Sequence, residues 1–419
     1  MRRGVRAQRG ERLRFAVFIG GLLLVVLGLI AFSITSTGDY QVRGPVGGDN
    51  AGPGLQALLH GSLAGYVSQQ PVIGLTSILL RLPVVALASA LGTGSLVGYQ
   101  VGALVCLFPL ALGGAWLVSE PGLSKQNRSL RLAAVLLVVL SPIVQNVLNG
   151  GHPEGVLSAL LATVAVLVAM RGRAGWAALL LGLAISTKET AVIALVPVML
   201  ALPERRLKVA AIAGGVFLVL CGTVWLADPA ALLRSLHGEG ATRFLTPFSL
   251  LWPVSSPLHA GTQLSVARVM PLGLTRTPAT LLTLTCATLL ATLWYARARH
   301  RGAAPQPLVL LVLFGLLRCA LDSTQEAYYW ASFLIPLATW EALEDRFPVK
   351  TLLLNGAVLV LFSAVGQISP SYLYVLSTGG EILMAVYLAR LAMLVPGPAP
   401  AVPPAPQWTV AAVAAGHEH

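Results

Sequence analysis

The residues in this sequence that could do chemistry lie in short polar segments between long apolar runs. The first is the glycine-rich segment 47–54, which carries Asp49 and Asn50. Glycine allows unusual dihedral angles and close backbone approach, so this segment can present its acid to a ligand. It lacks the Lys-Ser/Thr ending of a phosphate-binding P-loop. The alternatives are a solvated Asp49 in a flexible loop, or Asp39 as the functional acid.

The second segment is 149–154, in which His152 and Glu154 are two residues apart. Both side chains can hydrogen-bond a sugar or a phosphate. They could also supply two ligands to a metal, but two ligands do not make a site, so we expect no metal. The alternative is a simple turn in which Glu154 is favoured by the dipole of the helix that follows.

The third segment is the pair Lys188-Glu189, which interrupts an apolar run. Ionisable side chains inside a membrane segment are functional candidates by default. The alternative is a neutralised pair that only closes a helical hairpin.

The fourth segment runs from Arg318 to Trp330 and includes Asp322 and Tyr328. A guanidinium forms paired, charge-assisted hydrogen bonds, so Arg318 suits a phosphate. The alternative is an ion pair between Arg318 and Asp322, which are four residues apart and would face each other on a helix.

The composition indicates which elements must position these segments. Hydrophobic residues make up 56% of the chain and charged residues 11%, and the mean hydropathy is +0.78. A soluble domain carries about 25% charged residues, so most of this chain must face lipid. The net charge of +12 falls in short stretches between apolar runs, which indicates control of membrane topology and not nucleic-acid binding. The four cysteines form no Cys-x-x-Cys pair, so neither a disulfide framework nor a zinc site is expected.

We predict an all-α, polytopic transmembrane helix bundle with about 11–13 membrane segments, since roughly 20 apolar residues cross a bilayer. Residues 1–14 form a basic cytoplasmic N-terminus, 15–395 the transmembrane domain, and 396–419 a Pro-rich, disordered cytoplasmic tail. Short cytoplasmic loops are rich in Lys and Arg. The arginine-rich loops therefore face the cytoplasm, and the acid-bearing segments face outward.

Two segments do not fit simple spans. Residues 71–91 hold Arg81, and a charge at mid-bilayer is costly, so we predict an interfacial or re-entrant helix. Residues 174–202 have basic loops at both ends and should form a helical hairpin. Each arm of the hairpin is only about 13 residues, or roughly 20 Å, which is short of a roughly 30 Å hydrocarbon core. Lys188 and Glu189 would then lie at a buried apex.

Several of these segments resemble those of a known family. The similarity is carried by Gly151–Glu154, Arg171–Arg173, Gly182–Lys188, Gln70–Pro71, Ser77–Arg81, Leu321–Asp322 and Tyr328–Trp330. At these positions the chain is similar to multi-pass bacterial glycosyltransferases of the GT-C type, in particular glycosyltransferase family 87 and its actinobacterial relatives. The resemblance covers most of residues 15–395. Ser323 departs from the proline expected after Asp322, which leaves the role of that loop open.

The resemblance implies a GT-C-like fold and sugar transfer at the outer face of a bacterial plasma membrane. The donor would be a sugar on a polyprenyl phosphate, mannose most often in this family, and the acceptor a cell-envelope glycolipid or glycan. Asp49 stands where that class keeps its essential acid and would be the general base. No cofactor is expected, because the donor has no nucleotide leaving group. The substrates would contact Asn50, Gln70, Arg81, His152, Glu154, Lys188, Glu189, Arg318, Asp322 and Tyr328.

Two other classes of protein fit the same composition. A multi-pass transporter could use the Lys188-Glu189 pair for a coupled ion, but transporters often show internal repeats and the two halves of this chain show none. A non-catalytic subunit of an envelope-assembly machine is the second alternative.

Overall fold

The structure is a computed structural model. It describes residues 13, 15–29, 51–69, 74–92, 95–120, 123–150, 152–230, 244–257, 268–269, 281–287, 289–290, 292–293, 306–322, 327–365 and 367–394. The described helices are α1 (Phe15–Leu29), α2 (Ala51–Leu59), α3 (Leu63–Gln69), α4 (Leu75–Ala90), α5 (Ser95–Val118), α6 (Lys125–Val139), α7 (Pro142–Gly150), α8 (Glu154–Met170), α9 (Ala174–Thr187), α10 (Leu195–Ala201), α11 (Arg206–Ala227), α12 (Pro307–Leu321), α13 (Ala331–Leu343), α14 (Val349–Ser363) and α15 (Pro370–Leu394).

Most of the described chain is helical, and the helices are apolar. Three described stretches are long and apolar enough to cross a membrane: Gly98–Val118, Pro203–Ala227 and Pro370–Arg390. The bent pair of α6 and α7 would make a fourth, and seven further apolar helices are shorter, at 10–17 residues. The predicted all-α, polytopic membrane fold is confirmed.

The bend between α6 and α7 has a local cause. The two helices meet at 42°, where hydropathy alone would predict one continuous span over 132–148. Pro142 cannot donate a backbone hydrogen bond to the preceding turn, and the residue before a proline avoids the helical region. Ser141 occupies the break, and its hydroxyl donates to Asn355 Oδ1 of α14 over 2.7 Å.

Residues 174–202 form the predicted hairpin. A 3-10 helix, Glu189–Ala194, connects α9 to α10. Arg205 Nη1 donates to the Gly172 carbonyl over 3.4 Å, so the two arms start and finish at the same end of the bundle. With 14 residues, α9 is about 21 Å long, and with 24 residues, α5 is about 36 Å long. The apex of the hairpin is therefore recessed relative to the far end of α5.

The loops at that end of the bundle are held together by ion pairs. Arg131 Nη1 donates to the Glu120 carboxylate and to the Leu117 carbonyl, and its Nε donates to Asp345 Oδ1 over 3.2 Å. Arg171 Nη2 donates to Glu120 Oε1 over 3.3 Å. We call Glu120, Arg131, Arg171 and Asp345 the basic-end cluster. It brings together the loops after α5, α8 and α13, which the arginine distribution assigned to one side of the membrane.

A second hydrophobic core lies beyond the hairpin apex. The helices α2, α3 and α4 pack there against α5 and α11 around Leu55, Tyr66, Val67, Leu75, Ile78, Val85, Tyr99, Cys221 and Val224. We call this part the collar. Gly74 N donates to the Ser186 carbonyl over 3.1 Å, so α4 begins beside the apex. Cys106 Sγ donates to the Ser77 carbonyl over 3.6 Å, so α4 runs beside the first half of α5 only. That α4 is an interfacial or re-entrant helix stays a prediction.

Between α11 and α12, residues 281–287 are helical, and the described residues also include three two-residue antiparallel strands, which the sequence did not predict. They are β1 (Phe244–Leu245), β2 (Ser256–Pro257) and β3 (Arg268–Val269), in the order β1-β3-β2. Leu250 N donates to the Ala320 carbonyl over 2.8 Å, and Ser377 Oγ donates to the Pro247 carbonyl over 3.4 Å. Residues 244–257 therefore lie on the end of α12 and against α15.

Candidate functional site

Polar side chains from four separate elements meet beside the hairpin apex. The elements are the start of α8, the α9–α10 connection, the end of α12, and the 3-10 helix Ala327–Trp330 that precedes α13. We call the residues that meet there the site cluster: His152, Glu154, Lys188, Arg318, Asp322, Tyr328 and Tyr329.

His152 and Glu154 form one side of the cluster. The His152 Nδ1 lies 3.2 Å from Glu154 Oε1, and the two side chains are mostly buried, at 19% and 22% exposure. The imidazole also stacks on the Tyr328 ring, with centroids 4.7 Å apart and planes at 23°. Glu154 is close enough to Lys188 for a direct electrostatic interaction. The segment is therefore more than the simple turn offered as the alternative.

Lys188 contacts two aromatic rings, and no carboxylate of the described residues is hydrogen-bonded to it. Its Nζ lies 5.0 Å from the centroid of Tyr328 and 4.7 Å from that of Tyr329. Only 8% of Lys188 is exposed, and no described residue forms an ion pair or side-chain hydrogen bond with its ammonium. The alternative of a neutralised Lys188-Glu189 pair is therefore not what the described residues show. Glu189 is half-buried at the start of the 3-10 helix.

Arg318 lies at the other side of the same rings. Its Nη1 donates to the Tyr329 carbonyl and to Ser332 Oγ, both over 3.2 Å, and its guanidinium carbon lies 4.7 Å from the Tyr329 ring centroid. Its Nη2 lies 3.7 Å from Asp322 Oδ2, so the ion pair that was the alternative to a phosphate role for Arg318 is present, and the phosphate role stays a prediction. This ion pair is long. The buried Nε and Nη2 atoms have no hydrogen-bond partner among the described residues.

Close backbone contact at Gly315 sets the position of Arg318. A Cβ atom on Gly315 would lie 2.2 Å from the Ser332 carbonyl oxygen, which real structures do not tolerate. Glycine therefore lets α12 approach α13 closely enough for Arg318 to reach Ser332 and Tyr329 one turn later.

A pocket opens between the two cations. Its empty volume is about 360 Å³, including its open side, and Lys188, Arg318 and Ser332 line it. The rest of the lining consists mainly of small or apolar residues of α8, the apex and α12: Gly155, Ser158, Ala159, Ala162, Thr190, Ala191, Ile193 and Leu311. A larger cavity between α5, α6, α8 and α13 holds no ionisable side chain, so it lacks groups for the chemistry considered above. The smaller pocket is the one that places two cationic side chains beside apolar residues.

The remaining predicted site residues lie elsewhere. Asp49, Asn50 and Gln70 are outside the described residues, so their placement in the site stays a prediction. Arg81 is fully buried between α4 and α5, and its Nη2 donates to the Tyr99 carbonyl over 3.5 Å. Tyr99 also donates its hydroxyl to the Gly52 carbonyl over 3.3 Å. Arg81 is thus part of the collar, next to the side chain that anchors the helix following Asp49.

Two polar groups of the site were not selected from the sequence. The Tyr329 carbonyl and ring both contact Arg318, and the Ser332 hydroxyl accepts from it. The sequence analysis included Tyr329 in the segment from Arg318 to Trp330 but did not select it as a substrate contact, and Ser332 lies beyond that segment. Among the described residues no group of three or more His, Cys, Asp or Glu side chains could hold a metal ion.

A comparison with protein-family models identifies the family to which this chain is similar. A family model described as glycosyltransferase family 87 matches residues 74–324, which is more than half of the chain. The matched range begins at the start of α4 and includes the hairpin apex and Arg318, whereas Asp49 precedes it. No curated protein and no solved structure matches the chain.

Proposed function

The chain belongs to glycosyltransferase family 87, and on that premise we propose that this membrane glycosyltransferase uses a polyprenyl-phosphate sugar as its donor. The sugar is mannose. The acceptor is a glycolipid or glycan of the cell envelope, and transfer takes place at the outer face of a bacterial plasma membrane. Both chain termini lie in the cytoplasm.

The observation that supports a lipid-phosphate donor is the pair of incompletely bonded cations beside an otherwise mostly apolar pocket. Buried Lys188 has aromatic contacts and no bonded carboxylate among the described residues. Two nitrogen atoms of Arg318 lack hydrogen-bond partners in the same part of the chain. Each cation has a carboxylate near it, Asp322 for Arg318 and Glu154 for Lys188, but buried polar groups are normally hydrogen-bonded as well, and an incoming phosphate would supply the missing hydrogen bonds. A phosphate bound between Lys188 and Arg318 would have its prenyl chain beside the apolar residues of α8 and α12.

The reaction transfers the sugar from phosphate to a hydroxyl. The acceptor oxygen forms a bond to the anomeric carbon while the bond from that carbon to the phosphate oxygen breaks. The electron pair of the broken bond leaves with the polyprenyl phosphate, and Lys188 and Arg318 stabilise the charge that develops there. Asp49 accepts the proton of the acceptor hydroxyl. Attack opposite to the leaving phosphate inverts the configuration.

The contacts within the site cluster favour a general base that is not one of its own carboxylates. Glu154 contacts His152, and Asp322 forms an ion pair with Arg318. Both carboxylates therefore help to hold cationic or aromatic neighbours in place. Asp49 lies three residues before Gly52, which Tyr99 of the collar binds. A general base contributes about 10² to 10⁴ in rate when it is positioned at the reacting hydroxyl.

A transfer assay with purified protein in lipid nanodiscs tests the proposal. The donors to compare are polyprenyl-phosphate [¹⁴C]mannose and GDP-[¹⁴C]mannose, with a membrane glycolipid extract as acceptor. We expect labelled product from the lipid-linked donor and none from the nucleotide sugar. Transfer from the nucleotide sugar alone would contradict the proposal. Binding of the lipid-linked donor without any transfer would favour a non-catalytic subunit, and uptake of a solute without transfer would favour a transporter.

A further inference from the structure

A second set of buried polar atoms lies on α15, which packs beside α12. Glu381 is 5% exposed, and Thr378, one turn earlier, is 8% exposed. Both carboxylate oxygens of Glu381 and the hydroxyl oxygen of Thr378 are buried without a hydrogen-bond partner among the described residues. Buried polar atoms nearly always have partners, and an acidic residue in a candidate span is a functional candidate. This pair therefore needs a partner that the described chain does not supply.

These atoms lie close to the site cluster. Glu381 is near enough to Cys319 to interact with it electrostatically, and Cys319 follows Arg318 directly. The connection 244–257 covers the same region, because Pro247 accepts a hydrogen bond from Ser377, the residue before Thr378. Thr246, beside Pro247, has a buried hydroxyl oxygen that also lacks a hydrogen-bond partner within the described part of the chain.

The chemistry of these groups selects the kind of ligand. An apolar chain would leave the carboxyl and both hydroxyls unsatisfied. A metal ion would need further ligands, and the described residues hold no cluster of three metal-binding side chains. A saccharide carries several hydroxyl groups, each of which donates and accepts hydrogen bonds, so it matches a buried carboxyl with one threonine a turn earlier on α15 and another in the connection that packs on α15.

We infer that Glu381, Thr378 and Thr246 form a subsite for saccharide hydroxyls, next to the phosphate pocket across the last turn of α12. This inference rests on the proposed function, because the saccharide is one of the two substrates of sugar transfer. Its source is either the sugar of the lipid-linked donor or the acceptor glycan, and both have the same chemistry.

Glu341 shows how this chain bonds a structural glutamate. It is 2% exposed on α13. Its Oε1 accepts from Lys350 N over 3.0 Å, and its Oε2 accepts from Thr351 N over 2.8 Å and from the Thr351 hydroxyl over 2.7 Å. Glu341 and Glu381 are therefore a matched pair of buried glutamates, one with its oxygens bonded and one without, and Glu341 provides the control.

The test compares Glu381→Met, Glu381→Gln and Glu341→Gln with the wild type in nanodiscs. The first readout is the Tm with and without methyl α-D-mannopyranoside, and the second is the KM for donor and for acceptor. We expect Glu381→Met to keep or raise the Tm without sugar, because an unbonded polar group has been removed. It should lose the Tm rise caused by the sugar. One of its KM values should rise about tenfold to a hundredfold, as expected for lost hydrogen bonds, and the affected substrate identifies the source. Glu381→Gln should show a smaller rise in the same KM.

Glu341→Gln should lower the Tm without sugar while the Tm rise caused by the sugar and both KM values stay close to wild type. The inference is overturned if Glu381→Met lowers the Tm as Glu341→Gln does and leaves both KM values unchanged. It is also overturned if methyl α-D-mannopyranoside does not raise the wild-type Tm and Glu381→Met changes neither KM. If the wild type transfers no sugar from any polyprenyl-phosphate donor, the proposed function fails. In that case the Tm rise, and its loss in Glu381→Met, still test the subsite.

Discussion

The helix α8 joins two charged clusters that use charge in opposite ways. With 17 residues, it separates them by about 25 Å. In the basic-end cluster, Arg131 bonds two carboxylates and a carbonyl through its Nε and Nη1 atoms. In the site cluster, Lys188 faces two tyrosine rings, and two Arg318 nitrogens have no hydrogen bond within the described residues. The first arrangement is saturated, and the second can accept a further anion.

The difference separates stability from binding. Removing a well-bonded buried charge destabilises a protein, because its former partners are left without it. Removing a cation with few hydrogen bonds should change the free energy of unfolding less. It should lower the affinity for a ligand that binds to that cation. Parallel measurements of Tm and transfer rate at the two clusters can therefore decide whether the site cluster is a site at all.

The largest expected effect is a difference in labelling between the two ends of the helix bundle. The end with the collar should react with a reagent outside the cell, and the end with the basic-end cluster should not. Single cysteines at Ser62, an exposed residue of the collar, and at Lys125, an exposed residue at the start of α6, should label differently on intact cells. A membrane-impermeant maleimide should label Ser62→Cys directly and Lys125→Cys only after permeabilisation. Cys286→Ser is included as background, since the other three cysteines are buried. The reverse pattern would place the site cluster toward the cytoplasm and contradict an extracytoplasmic reaction.

The next largest effect should come from Asp49→Asn. An unperturbed aspartate has a pKa near 3.9, so it is ionised at neutral pH and can accept a proton, whereas asparagine cannot. We expect the kcat to fall about 10²- to 10⁴-fold with donor binding retained. The measurement is steady-state transfer with an independent donor-binding assay, and Asp39→Asn is the matched control. A kcat close to wild type would remove Asp49 from the mechanism and leave Asp39 and Glu154 as candidates.

Arg318→Ala and Lys188→Ala should each weaken donor binding by about 10- to 100-fold, because each removes a charge-assisted contact to phosphate. The Tm should change little in Lys188→Ala and should fall in Arg318→Ala, because the buried Asp322 carboxylate and the Tyr329 carbonyl lose a partner; the Kd is therefore measured on folded protein. Arg171→Ala, at the opposite end of α8, is the matched control and should leave the donor Kd unchanged. The measurement is the donor Kd together with the Tm. Equal loss of donor affinity in all three variants would show that the two ends of α8 do not differ in function.

The smallest effect on activity should come from Arg131→Ala, which instead tests stability. It removes several hydrogen bonds of a 5% exposed guanidinium, and we expect a loss of about 2 kcal/mol in the free energy of unfolding. The carboxylates left behind are about one-third exposed, so water limits the loss. Transfer per folded molecule should remain at the wild-type level. Unchanged stability, measured by thermal unfolding in nanodiscs, would mean that the basic-end cluster does not hold its loops together.

The features that the sequence predicted best depend on local chemistry. The hairpin was predicted from the Lys188-Glu189 pair and from the basic loops at both ends of residues 174–202. Charges avoid lipid, and short cytoplasmic loops are rich in arginine. The four-residue spacing of Arg318 and Asp322 indicated that the two could form an ion pair, which was the alternative to a phosphate role for Arg318. These patterns are visible within a few turns of helix and need no knowledge of how helices pack.

The features that were missed depend on packing or on a signal that was read too weakly. Ser141-Pro142 marks the bend between α6 and α7 in the sequence, yet the surrounding hydropathy suggested one span. Glu381 is a charge within an apolar segment, the same signal that drew attention to Arg81 and Lys188. The contacts among Lys188, Arg318 and the tyrosines join segments that are distant in sequence, so no local pattern could reveal them.

The short arm α9 has a consequence for the membrane in which the enzyme works. The apex that holds Lys188 lies about 21 Å from the basic end, while a typical hydrocarbon core is roughly 30 Å thick. If the donor is a lipid phosphate and the apex faces the outer leaflet, as proposed, the phosphate would have to move inward, or the bilayer would have to become thinner locally, to reach the two cations. Bilayers made of shorter acyl chains reduce that displacement, since hydrophobic mismatch is relieved by changes in thickness. The acyl-chain length of the lipids would then change the affinity for the donor. Through that affinity, membrane thickness would change the rate of transfer at low donor concentration.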